Sequence, residues 1–97
     1  MIQHIVLLKL KPDTSAIQKT ALLEGLVALK HENKILGIES VTGGDNNSPE
    51  GKTNGFDWGF SMTFTDDAYL PHPDHKTVGR DLLRPIVEEV LVFDYEI

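Results

Sequence analysis

The chain has 97 residues, 40% of them hydrophobic and 25% charged, with 9 Lys plus Arg against 15 Asp plus Glu for a formal charge of −6. The composition is that of one globular domain, 1–97, and its acidic balance argues against nucleic acid and anionic membrane surfaces, which bind clustered Lys and Arg. The absence of cysteine removes disulfides and thiolate metal ligands from consideration.

Ile2 to Lys11 reads as a strand, rich in β-branched residues and stopped at Pro12-Asp13. Ile2, His4, Val6, Leu8 and Leu10 share one face; Ile5 and Leu7 lie on the other. A strand apolar on both faces is expected to be central and covered on both. Ser15 and Gln18 form a capping box for a first helix. That helix carries Ile17, Ala21, Leu22, Leu26 and Leu29 at helical spacing and fades between His31 and Lys34. A second strand is expected over Ile35 to Gly43, interrupted by Gly37. The polar segment Gly44 to Gly55 is expected to be the most mobile part of the chain.

Phe56 to Thr65 is a third strand. Phe56, Trp58, Phe60, Met62 and Phe64 line one face, and Asp57, Gly59, Ser61, Thr63 and Thr65 the other. Asp66 caps a short turn through Tyr69 that ends at Pro71. Pro73 then opens a second helix with His72 as its cap, and Pro85 is expected to kink it. Leu91 to Ile97 is the last strand, with Leu91, Phe93, Tyr95 and Ile97 opposite Val90 and Val92. The order βαββαβ is that of a ferredoxin-like α+β fold, with both helices on one face of the sheet. Too few polar residues remain to wet the other face, so a second copy related by a two-fold axis is the simplest cover. A homodimer forming an α+β barrel is the expectation.

Tyr69-Leu70-Pro71-His72-Pro73-Asp74-His75 is the densest cluster of reactive side chains. His75 falls near the third position of a helix, where the positive dipole end favours a neutral imidazole that can act as base. Tyr69 could donate a hydrogen bond to a developing oxyanion, and His4 adds a polar group from an otherwise apolar strand face. The structural alternatives are a helix cap for His72, a satisfied polar residue for His75, and a strand end near solvent for His4. His72, Asp74 and His75 make an incomplete metal cluster, so neither metal nor cofactor is expected. Gly51-Lys52-Thr53 resembles the tail of a phosphate loop, but position 46 is Asn and no strand-to-helix context surrounds it. Asp94 and Glu96 read as rim charges.

The N-terminus lacks the charge, apolar run and cleavage site of a signal peptide, and no apolar stretch is long enough to span a membrane. A cytoplasmic location is therefore the expectation, and the sequon Asn46-Asn47-Ser48 reads as a loop.

Several stretches together resemble one family: His4-Ile5-Val6-Leu7-Leu8-Lys9-Leu10-Lys11, Gly55 to Phe64, the Tyr69 to His75 segment, and Leu91-Val92-Phe93-Asp94-Tyr95. The chain is similar to the stress-responsive dimeric A/B barrel domains, related to plant olivetolic acid cyclase. That resemblance implies a homodimeric barrel sealed in part by the fourth strand. It further implies His75 as base, Tyr69 as the group that orients a carbonyl, and His4 beside the pocket. Leu26 and Trp58 stand where the cyclase has a pocket tyrosine and a pocket histidine, so the polyketide substrate is not expected to be shared. The two hypotheses are a binder or enzyme for a small carbonyl-containing metabolite, with cyclase- or lyase-type proton abstraction, and a non-catalytic dimeric stress or assembly protein.

Overall fold

The computed structural model describes residues 1–31, 37–65 and 82–97. They form β1 (Ile2–Leu10), α1 (Ala16–His31), β2 (Ile38–Asp45), β3 (Trp58–Phe64) and β4 (Val87–Glu96). The four strands make one antiparallel sheet in the order β2-β3-β1-β4, the strand arrangement of a ferredoxin-like α+β fold. β1 is central, as its apolar pattern predicts.

Alternation along the strands assigns the core. Val6, Leu8 and Leu10 from β1 and Trp58, Phe60, Met62 and Phe64 from β3 are buried together with Leu22 and Leu26 of α1, Ile38 and Ile86. Leu8 and Met62 are fully buried. Buried aliphatic side chains of this size each contribute roughly 1.5–3 kcal/mol through removal from water. The capping box forms: Ser15 N–H donates to Gln18 Oε1 (2.9 Å), and Gln18 N–H donates to Ser15 Oγ (3.1 Å). It satisfies two amide donors that a helix start otherwise leaves without partners. Ile17, counted in the apolar stripe from its spacing, is instead 81% exposed. At 3.6 residues per turn it stands roughly 140° and 180° around the helix from the buried Leu22 and Leu26, on the face turned to solvent.

Several boundaries differ from the sequence reading, β3 for one beginning at Trp58 and not at Phe56, and three differences have a clear physical reason. Gly37 does not interrupt β2 but precedes it, with φ of 90°, a left-handed conformation that costs glycine least. Its carbonyl accepts from Thr65 N–H at 2.8 Å, which closes the open end of the β2–β3 pair. β4 begins at Val87 rather than Leu91, four residues early, because β1 offers it partners as far as Leu10↔Val87. Pro85 accordingly stands in the turn that enters β4, where Ile86 N–H donates to Leu83 C=O, and not in a helix. The Asp66 cap, the turn at Tyr69 and the start of the second helix lie outside the described residues.

The segment between β2 and β3, expected to be the most mobile, is tied to its neighbours. Asn46 N–H donates to Asp57 C=O (2.9 Å), and the Asn46 side-chain amide donates to Phe56 C=O (2.8 Å). Asp57 N–H donates to Leu8 C=O, while Asp57 Oδ1 accepts from Leu10 N–H, both at 3.0 Å. Lys9 lies over the Phe56 ring and pairs with Glu89. These bonds tie the base of the loop at Asn46, Phe56 and Asp57 to the sheet, while residues 47–52 stay exposed.

The face of the sheet turned away from α1 is built from three transverse rows. The first is Gly44, Gly59, Leu7 and Leu91; the second Thr42, Ser61, Ile5 and Phe93; the third Ser40, Thr63, Gln3 and Tyr95. In each, the β2 and β3 members are small or hydroxylated, and two of the three rows carry large apolar groups on both β1 and β4. The expectation that too few polar residues remain to wet the second face is met on the β1–β4 half. On the other half Ser40 donates to Thr63 Oγ1 (2.8 Å), Thr63 donates to Gln3 Oε1 (3.1 Å), and the Gln3 amide donates to Ser61 Oγ. This chain of hydroxyls and amide satisfies itself across three strands. No helix of the described residues is long and apolar enough to cross a membrane.

Candidate functional site

β1 presents its even-numbered residues to the helix-covered face, and His4 is the polar member of that set. The antiparallel β1–β4 register places Asp94 directly opposite it. Their side chains meet, His4 Nδ1 to Asp94 Oδ1 at 2.6 Å, with 13% and 27% of each side chain exposed. The ring of Phe64 lies edge-on to the imidazole at 5.9 Å between centroids and that of Phe60 at 6.4 Å. Aromatic walls lower the local polarity, which strengthens a charge-assisted hydrogen bond.

A carboxylate can only accept at Nδ1, so the Nδ1–H tautomer is held and Nε2 is the nitrogen able to take a proton. Sequence reasoning placed His4 correctly near the edge of an apolar face but read Asp94 as a rim charge. The signal that finds Asp94 is parity: it shares a face with Val90 and Val92, the face of β4 that matches Val6 and His4 once the register is known.

Leu26 and Trp58, the two residues assigned to a pocket lining, are 2% and 4% exposed and belong to the core. Trp58 packs at 6.3 Å and 53° from Phe60, and Leu26 descends onto the sheet from α1. Together with Leu22 and Met62 they occupy the layer between α1 and the sheet. Tyr69, His72 and His75 lie outside the described residues, as does the His72, Asp74 and His75 cluster weighed as a metal site. Among the described residues no group of three or more His, Cys, Asp or Glu side chains converges to hold a metal ion.

The geometry agrees with what the chain is similar to. A stress-response A/B barrel domain-containing protein of Arabidopsis thaliana is 26% identical over 95 residues, covering 98% of this chain. The chain spans about a third, 36%, of that protein's length. A solved structure from Jannaschia sp., described as a dimeric ferredoxin-like protein of unknown function, superposes with a TM-score of 0.81 at 27% identity, covering 99% of this chain and 98% of that one. The hydroxynitrile lyase of Passiflora edulis superposes with a TM-score of 0.80, covering 99% and 92% of the two chains, and at 22% identity it shows a common fold. The profile of the stress-responsive A/B barrel domain matches residues 2–97, and the chain belongs to that family.

Proposed function

We propose that the chain acts as a homodimeric stress-responsive A/B barrel domain that binds a small carbonyl-containing metabolite on the helix-covered side of its sheet, near His4. The observation that carries this reading is the His4–Asp94 pair, a 2.6 Å charge-assisted contact set among Phe60 and Phe64. Polar pairs of this kind on an apolar wall fix the orientation of a ligand whose remaining surface is apolar. In this reading His75 is the base that removes a proton next to the carbonyl, Tyr69 orients the carbonyl, and His72 contributes to ligand binding. His4, positioned by Asp94, holds or relays the proton. The reaction class is cyclase- or lyase-type proton abstraction. The dimer is supported by the exposed Leu91, Phe93 and Tyr95 on the helix-free face, and by the dimeric state described for the Jannaschia relative.

The second reading, a non-catalytic dimeric stress or assembly protein, is favoured by one observation. Leu26 and Trp58, the positions that the resemblance sets at a pocket, are apolar and buried in the core cluster with Leu22 and Met62. Native mass spectrometry of the wild type, His75→Ala and Asp94→Asn against a carbonyl-metabolite library separates the two. A ligand retained by the wild type and lost by both variants supports the site. Equal binding to all three, or none to any, removes it in favour of the second reading.

A further inference from the structure

Of Asn33, Asn46, Asn47 and Asn54, only the last precedes a glycine. Residues 53–56 form a tight turn: Phe56 N–H donates to Thr53 C=O at 3.0 Å, with φ of 52° at Asn54 and 84° at Gly55. Positive φ at both central residues is the type I′ geometry, for which Asn-Gly is the favoured pair. Glycine is required at 55 on two counts, its φ and the 2.9 Å that would separate an added Cβ from Lys9 Cε. Both turn residues are exposed, and among the described residues neither the Asn54 side-chain amide nor Gly55 N–H has a hydrogen-bond partner. The other asparagines of the loop differ. The Asn46 amide is held at both ends, donating to Phe56 C=O at 2.8 Å and accepting from Ser48 N–H at 2.9 Å. The nitrogen that follows Asn47 is that same Ser48 N–H, already engaged and flanked by a side chain.

We infer that Asn54 is a site of spontaneous covalent modification, at which the side-chain amide becomes a carboxyl through a cyclic imide formed with Gly55. Hydroxide removes the Gly55 amide proton, and the nitrogen attacks Asn54 Cγ. The N–Cγ bond forms, the Cγ–Nδ2 bond breaks, and the amide leaves as ammonia after taking a proton from water, which restores the hydroxide. Water then opens the imide at either carbonyl. Cleavage at Cγ leaves aspartate; cleavage at the backbone carbonyl leaves isoaspartate, whose main chain runs through the former side chain. No electrons are exchanged, and water is the only co-reactant. Glycine favours the step because no Cβ shields the attacking nitrogen. The turn opposes it with one exposed hydrogen bond, and local openings of that kind lie at the low end of the free-energy range of a fold. The product adds a negative charge to a chain at −6. Its isoaspartate form also lengthens the main chain by a methylene within a turn that two residues must close, so the Thr53–Phe56 hydrogen bond is lost.

Incubation of the full chain at neutral and at mildly alkaline pH, folded and in urea, followed by peptide mapping with mass spectrometry, reads the outcome. Asn54→Gly is the control, because glycine accepts the positive φ and carries no amide to lose. The expected result is that the folded wild type gains the amide-to-carboxyl mass at Asn54 before Asn46 or Asn47 does, and faster at the higher pH. Aspartate and isoaspartate both appear in the product, and ion exchange resolves a more acidic form that Asn54→Gly never yields. A folded chain that stays unmodified at Asn54 overturns the inference, and conversion of the urea-unfolded chain over the same time would trace the protection to the turn. Modification of Asn46 or Asn47 ahead of Asn54 in the folded chain overturns it as well. The decisive measurement is made on the wild type, so it holds even where Asn54→Gly does not fold.

Discussion

The same four strands present two unlike surfaces. On the side of α1, residues from β1 and β3 are buried to within a few per cent and packed around Leu22 and Leu26. On the other side, successive neighbours of those residues form a face that is hydroxylated at β2 and β3 and apolar at β4, while β4 itself is exposed on both sides, Val90 and Val92 on the α1 side at 42% and 51%. Leu8 is fully buried and Leu7 is 37% exposed, although they are adjacent and chemically identical. Burial is therefore set by the pleat and by what stands above it, not by residue type. The covered face supplies stability to the single chain, while the open face can return stability only through a partner.

The strongest way to break this contrast is to truncate both leucines. Leu8→Ala is expected to lower unfolding free energy by about 2–5 kcal/mol, because no neighbour can collapse into a space enclosed on all sides. Leu7→Ala is expected to cost less than about 1 kcal/mol at concentrations where the chain is monomeric, with the loss growing as concentration rises. Urea denaturation at two protein concentrations measures both. Equal losses for the two variants in dilute protein would show that the faces do not differ as described.

Asp94→Asn probes the His4–Asp94 pair on the covered face. It exchanges a charge-assisted hydrogen bond for a neutral one, a loss on the order of 1 kcal/mol. Nitrogen NMR of the His4 imidazole should change from one dominant tautomer to a mixture, since an amide can either accept from or donate to Nδ1. An unaltered tautomer would mean that Asp94 does not orient the ring.

Ser15→Ala removes the hydroxyl that accepts from Gln18 N–H and should cost about 1 kcal/mol, measured by thermal unfolding with the helical signal as probe. Lys9→Met should change stability by less than about 0.5 kcal/mol. The Lys9–Glu89 pair is solvent-screened at the rim of the open face, and the methionine keeps the apolar stem over Phe56. A larger loss in salt-free buffer that vanishes at high salt would show that the rim pair stabilises the fold through its charges.

Local pattern carried much of this far. Period-two alternation in β1 and β3 identified the buried set, and Ser15 with Gln18 marked the helix start where the structure has it. Each rests on residues no more than a few positions apart, so the chain itself enforces it. The extent of β4 was not legible, because Val87 to Val90 belong to the strand only through hydrogen bonds to β1. Ile17 is a different case: its distance of five and nine residues from Leu22 and Leu26 sets it roughly 140° and 180° away around the helix, so the sequence itself places it outside the buried stripe.

For the candidate site the division is similar. His4 was singled out as a polar residue on an apolar face, a property of one short strand. Its partner Asp94 lies ninety positions away and is chosen by strand register, which no short window contains. The family, the strand faces and the cap are thus decided by local chemistry. The His4–Asp94 contact, the burial of Leu26 and Trp58 in one core cluster, and the division of the open face into hydroxylated and apolar halves come from tertiary pairing. Alternation says only that two sets of side chains point opposite ways; cross-strand register and the helix above decide which neighbours each set meets.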